Sequence, residues 1–234
     1  MADKGIVAPA TCRQSTHFTI RSRGRLPHWE LENGTYFVTV RVAGTLPGRV
    51  VARLKEEKEQ ASELEARGLL INIIDDYLDT GKGDCPLKVS KVATVVVDTL
   101  RHFDGDRYHL HAWCIMPNHL HVVFTAMSHG EQPERCRQGA GATENGGCRQ
   151  GAGATKHQLA AIMHSWKSYT SKEVNKILGR SGRFWQREYY DHLIRNEEEY
   201  FACIEYTLNN PVSAGLCVTW EEWPWAGIGD LEIR

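Results

Sequence analysis

Arg107–Phe124 reads RYHLHAWCIMPNHLHVVF, two apolar and aromatic runs separated by Met116, Pro117 and Asn118. Proline has no N–H to give to a ladder. Pro117-Asn118 therefore marks a turn or a strand entry, and the flanking runs read as two antiparallel strands. Each run carries a His-x-His: His109-Leu110-His111 on the first, His119-Leu120-His121 on the second. Alternate residues of a strand share a face, so each pair points two imidazoles one way and its leucine the other. Two imidazoles side by side make half of a divalent-metal site and need one or two further ligands. Spacing prefers neither pair, and with 11 histidines in the chain two such pairs can also arise by coincidence.

Outward from the hairpin, Thr35–Val42 (TYFVTVRV) is β-branched and aromatic, a strand broken by Pro47 and Gly48. Val50–Arg67 is rich in helix formers with an acidic face and reads as a surface helix. Residues 69–79 form a second apolar element, followed by a turn at Gly81 and Gly83. Val92, Val95, Val96, Leu100 and Phe103 recur at helical spacing, as do Leu159, Ile162, Met163 and Trp166. Between these helices the octapeptide CRQGAGAT occurs twice, at Cys136–Thr143 and Cys148–Thr155. Two glycine-rich copies are too few for a solenoid, and residues 128–157 read as a tolerated insertion. Asn196–Asn209 is a further helix, capped by Asn196 and opened by three glutamates, with Pro211 expected to stop it.

The whole chain of 234 residues and 26.5 kDa suits one domain, here 28–226 with the insertion, between a basic arm (1–27) and a short tail (227–234). A net charge of −1 excludes a wholly basic protein but leaves room for a local basic face. Seven cysteines without a C-x-x-C argue against a disulfide framework or a four-cysteine zinc site, and suit reduced thiols. There is no apolar run long enough for a membrane span and no signal-peptide core near Met1, so the expected location is the cytoplasm.

Two further features carry chemistry. At 100° per residue, Tyr200, Phe201, Ile204 and Leu208 form one stripe of the last helix, expected to face the core. Tyr206 falls on the opposite side, one turn before Asn210, and reads either as a surface tyrosine or as a nucleophile beside an amide ligand. From 164 to 195, seven Lys/Arg stand against Glu173, Glu188 and Asp191, interleaved with aromatic residues. Cations track phosphates and aromatic faces stack on bases, so Lys167, Lys172, Lys176, Arg183, Arg187 and Arg195 are candidate DNA contacts. Arg21, Arg23 and Arg25 of the arm join them.

MPNHLHVVF, then WQREYYDHLIRNEEEY, EYTLNNPVSAGL and WPWA resemble, in that order, the single-tyrosine HUH transposases, most of all the REP-associated tyrosine transposases. The resemblance runs from GRLPHWE near Gly24 to Ala226, apart from the insertion. It implies an α+β fold: a central antiparallel sheet of HUH, ferredoxin-like type with helices on one face. It carries the metal-binding histidines to His119 and His121, the nucleophile to Tyr206 and the third ligand to Asn210. That third position is a glutamine in related transposases, one methylene longer. The implied activity is cleavage and rejoining of single-stranded or hairpin DNA, with Mg²⁺ or Mn²⁺, through a 5′-phosphotyrosine, by a monomer or homodimer. A non-catalytic hairpin binder of the same ancestry, a replication-initiator-type nickase and an unrelated metallohydrolase remain open on the residues alone.

Overall fold

The computed structural model describes residues 19–22, 27–45, 77–78, 83–127 and 158–229. The expected helix at Val50–Arg67, the insertion at 128–157, Arg23 and Arg25 lie outside the described residues.

Among the described residues seven strands and three α-helices are formed: β1 (Thr19–Ser22), β2 (Pro27–Glu30), β3 (Thr35–Arg41), α1 (Ser90–His102), β4 (Tyr108–Ile115), β5 (His119–Ala126), α2 (Gln158–Ile177), β6 (Tyr190–Ile194), α3 (Glu197–Ser213) and β7 (Ala226–Ile228). β1 and β2 make a two-stranded ribbon, which places Arg21 opposite His28 inside the segment read as an arm. The other strands form one antiparallel sheet in the order β6-β3-β5-β4-β7. The Pro117-Asn118 turn joins β4 to β5 as read from the sequence. The α+β class stands.

Alternation in the strands sends two sets of side chains to two faces. Val38, Val40, Leu120, Val122 and Phe124 meet Val92, Val96 and Leu100 of α1 and Leu159, Ile162, Met163 and Trp166 of α2 in the larger core. Phe37, Ala112, Val123 and Ile194 meet Tyr200, Ile204 and Leu208 of α3 in the smaller one. Helices therefore cover both faces rather than one. This is why β5 is buried at every position, its two histidines and Thr125 included. β7 closes one edge. A Cβ on Gly227 would stand 2.4 Å from the Trp113 ring, so only glycine lets that strand approach.

α3 begins as expected. Asn196 Oδ1 accepts from Glu199 N at 2.8 Å, and three glutamates stand at the positive end of the helix dipole. Its far end differs from expectation. Pro211 lies inside the helix, which continues to Ser213, with Ala214 N donating to Asn210 O at 3.0 Å. Proline costs one hydrogen bond there, and its ring is buried. Phe201, expected in the core, is exposed, and Thr207 and Pro211 complete the buried stripe instead. Among the described residues no helix is long and apolar enough to cross a membrane.

Candidate active site

β5 is regular, so His119 and His121 project together from the face covered by α3, while Leu120 enters the larger core. Both imidazoles are fully buried. Their Nε2 atoms face each other at 2.9 Å.

The partners behind the rings settle much of their protonation. Asn118 Nδ2 donates to the Leu78 carbonyl at 3.0 Å, so Asn118 Oδ1 is the atom turned to His119 Nδ1, at 2.7 Å. An amide oxygen only accepts. His119 therefore carries its proton on Nδ1 and presents Nε2 as a bare lone pair. Thr39, opposite His121 in the β3–β5 register, places Oγ1 2.9 Å from His121 Nδ1. A hydroxyl can accept there, which bares the second Nε2 as well, or donate, which leaves His121 Nε2–H bonded to His119. Burial pushes His119 down to about 3, opposed in part by the Asn210 amide, and holds His121 well below the usual imidazole range, with His119 adding to it. Neutral imidazoles are the form that ligates metals.

α3 supplies the other side. Tyr206 is 40% exposed and sets its ring edge-on to His121, at 5.3 Å between centroids, and edge-on to Phe37 at 5.7 Å. Phe37 lies flat against His121 at 5.5 Å and fixes the ring plane. One turn on, Asn210 is buried, and its Oδ1 is enclosed with no hydrogen-bond partner. A buried amide oxygen without a donor is uncommon and calls for an explanation.

A divalent cation is one. Two donors at right angles on bonds of ~2.1 Å lie about 3 Å apart, the separation of the two Nε2 atoms. Among the described residues no group of three or more His, Cys, Asp or Glu converges for a metal. Of the described residues beside the pair, Asn210 offers an amide oxygen. The residues present fit an ion such as Mg²⁺ or Mn²⁺.

The second His-x-His does not repeat this geometry. The β4–β5 register slips between Leu110 and Ala112, leaving His111 in the irregularity. His111 Nε2 is engaged by Thr125 Oγ1 at 2.7 Å and its ring packs edge-on to Tyr200, while His109 is exposed.

The basic candidates divide. Lys167 Nζ donates to the carbonyls of Gln186 and Arg187, both at 2.7 Å, tying α2 to the following segment. Lys176 pairs with Glu173 at 2.8 Å and Arg195 with Glu199 at 3.3 Å. Lys172, Arg183 and Arg187 are exposed, with no ion pair among the described residues. None of these cations belongs to the histidine–tyrosine cluster. Thr39, Asn118 and Phe37 do belong to it, and sequence reasoning missed all three. Only Asn118, as neighbour to the pair, left a signal.

No known family model matches the chain. An uncharacterized protein of Haemophilus influenzae (strain ATCC 51907 / DSM 11121 / KW20 / Rd) is 31% identical over 100 residues, which cover 42% of this chain and 51% of the relative. The chain thus spans about half the length of that curated relative. Among solved structures, a REP-associated tyrosine transposase bound to a REP hairpin is similar at a TM-score of 0.47 and 17% identity, over 88% of this chain and 82% of that one. That is a distant likeness, too weak to carry residue roles across.

Proposed function

We propose that this chain is a metal-dependent DNA strand transferase that cleaves and rejoins single-stranded DNA at hairpin or repeat sequences. The observation that carries the reading is one cluster. It holds two neutral, buried imidazoles with facing Nε2 atoms, an unpartnered amide oxygen from Asn210 beside them, and the half-exposed Tyr206 on the ring of His121. The ordered motifs around it, read in the sequence, give the same assignment.

In this reading His119, His121 and Asn210 hold Mg²⁺ or Mn²⁺. The ion, when bound, supplies charge that stabilises the scissile phosphate. The rest is done by the chain. Asn118 keeps the His119 proton on Nδ1, Thr39 and Phe37 hold the His121 ring, and α3 presents Tyr206 to the strand from the open side. The Tyr206 hydroxyl attacks phosphorus as the P–O3′ bond breaks. Its proton is lost and the departing oxygen takes one up as a free 3′-OH. The 5′-phosphotyrosine keeps the bond energy, so a 3′-OH can attack in reverse and rejoin the strand without ATP.

The test is a denaturing gel. The protein is incubated with Mn²⁺ or Mg²⁺ and a 3′-labelled oligonucleotide copied from the repeats that flank its gene. Label that travels with the protein, and is lost in Tyr206→Phe, is the expected result. Cleaved product without adduct in the wild type would mean a metallohydrolase. Tight hairpin binding without cleavage would mean a non-catalytic binder.

A further inference from the structure

The sheet face that carries the histidine pair is unevenly covered. α3 packs over β4 and β5 and leaves Arg41, Tyr190 and His192 of the neighbouring β3 and β6 half-buried. Register places these side chains. Thr39 stands opposite His121 on one side and Tyr190 on the other, Phe37 stands opposite His192, and Arg41 stands opposite His119. Paired residues of neighbouring strands share a face, with Cβ atoms about 5 Å apart, so Arg41 leaves the sheet beside His119. Tyr206 meets this same side of the face, over Phe37 and His121.

Arg41 makes no ion pair among the described residues. Burial pushes its guanidinium below the usual range, and the charge of Glu188, in the segment leading into β6, opposes this only in part. Its neighbours across the two ladders are neutral: the imidazoles of His119 and His121, held uncharged by burial, and the side chains of Thr39 and Tyr190. A guanidinium keeps its charge at any working pH, and one drawn out of water among neutral groups is costly until an anion meets it. Its planar fork of N–H donors fits two oxygens of a phosphate. The cations of α2 and the segment after it stand apart from the histidines. Arg41, a lone cation at the end of an apolar strand, gave no comparable signal in the sequence.

We propose that Arg41 is a further catalytic residue of strand transfer: standing beside His119 on the Tyr206 side of the sheet face, its guanidinium binds the non-bridging oxygens of the scissile phosphate and offsets the charge that builds there during attack. The inference rests on the strand-transferase reading above and deepens it. Bond making and breaking stay as described: the bond from Tyr206 Oη to phosphorus forms, the P–O3′ bond breaks, and Arg41 neither gives nor takes a proton. Its contribution is a fixed positive group that is already in place before the reaction begins, so no reorganisation is needed as the charge develops.

The experiment follows adduct formation in a single turnover, with saturating labelled oligonucleotide and Mn²⁺, in the wild type, Arg41→Gln, Arg41→Lys and Glu188→Gln. The expected result is adduct formation slower by about a hundred- to thousandfold in Arg41→Gln. Its Mn²⁺ affinity, read by calorimetry, and its hairpin affinity, read by fluorescence anisotropy, should stay close to wild type. Arg41→Lys keeps the charge and the stem but loses the fork, and should be slower by about tenfold. Glu188→Gln should react at close to the wild-type rate. A wild-type rate in Arg41→Gln overturns the proposal and leaves the strand-transferase reading standing. A slow Arg41→Gln whose Mn²⁺ affinity falls in step overturns it too, since Arg41 would then only prop the histidines. An equal loss in Glu188→Gln overturns it by making the two residues a structural pair. Should Arg41→Gln fail to fold, Arg41→Lys decides: a slowed rate with unchanged Mn²⁺ affinity supports the contact, and a wild-type rate overturns it. A wild type that forms no adduct overturns the strand-transferase reading itself, and this inference with it.

Discussion

The hairpin carries two His-x-His pairs of identical spacing, and they have opposite fates. On β5 the alternation is unbroken, both rings are buried and their Nε2 atoms meet at 2.9 Å. On β4 the register slips at His111, one ring is buried against Tyr200 with its nitrogen bonded to Thr125, and the other is exposed. The difference lies in what stands behind the rings. Asn118 and Thr39 orient the β5 imidazoles from their Nδ1 sides and leave the Nε2 atoms to each other. Thr125 takes up the Nε2 of His111 directly. A pair of histidines becomes a candidate metal site only where the strand is regular and the second nitrogen of each ring is already held.

The largest expected effect breaks the comparison outright. His119→Ala or His121→Ala should abolish cleavage of the labelled oligonucleotide, a loss on the order of a thousandfold or more, while hairpin binding persists. His109→Ala and His111→Ala should cleave within severalfold of wild type. Equal losses in all four would mean that the β5 pair has no privileged role. Loss of hairpin binding in both β5 variants would mean that these histidines are structural.

A smaller effect sharpens the comparison at the partner residues. Asn118→Ala removes the acceptor that fixes His119 Nδ1 and the tie to Leu78, and Thr39→Val removes the hydroxyl bonded to His121 Nδ1. Each should weaken Mn²⁺ binding, read by titration calorimetry, by about ten- to hundredfold. Thr39→Ser keeps the hydroxyl and should restore most of it. Mn²⁺ affinity unchanged by Asn118→Ala would show that His119 is oriented by something else.

Much of this was legible in the sequence because β5, β3 and α2 have strong periodicity, and because the Pro-Asn turn punctuates the hairpin. The parts that were not legible share a physical cause. A register slip such as the one at His111 leaves no mark in the residue pattern. Phe201 fell on the apolar stripe by angle alone, yet the sheet meets α3 along Tyr200, Ile204, Thr207 and Leu208 and leaves Phe201 in solvent. Pro211 read as a stop because proline disfavours the helical region at the residue before it. Its ring is buried and the helix runs on to Ser213, which keeps Asn210 helical and directed at the histidines. Thr39 was one of several threonines in an apolar strand, and only the β3–β5 register brings it to His121.

The smallest effect is on stability, and its sign follows from burial. His111 titrates at about 4 in the folded chain, pushed down by burial and by the nearby His109, against about 6.5 for a free imidazole. Between those values the unfolded chain binds a proton that the folded chain refuses, so stability falls as pH drops from about 6.5 towards 4. The slope is at most about 1.4 kcal/mol per pH unit for each such histidine. His119 and His121 shift in the same direction and add to the slope in metal-free protein. The two pairs should therefore separate in urea titrations across that window. His111→Gln should flatten the pH dependence by the same amount with or without Mn²⁺. The part contributed by the β5 pair should respond to metal, since an ion holding both Nε2 atoms competes with protons for them. A pH dependence that Mn²⁺ leaves unaltered in both wild type and His111→Gln would remove the metal from the β5 site and make the two pairs equivalent after all.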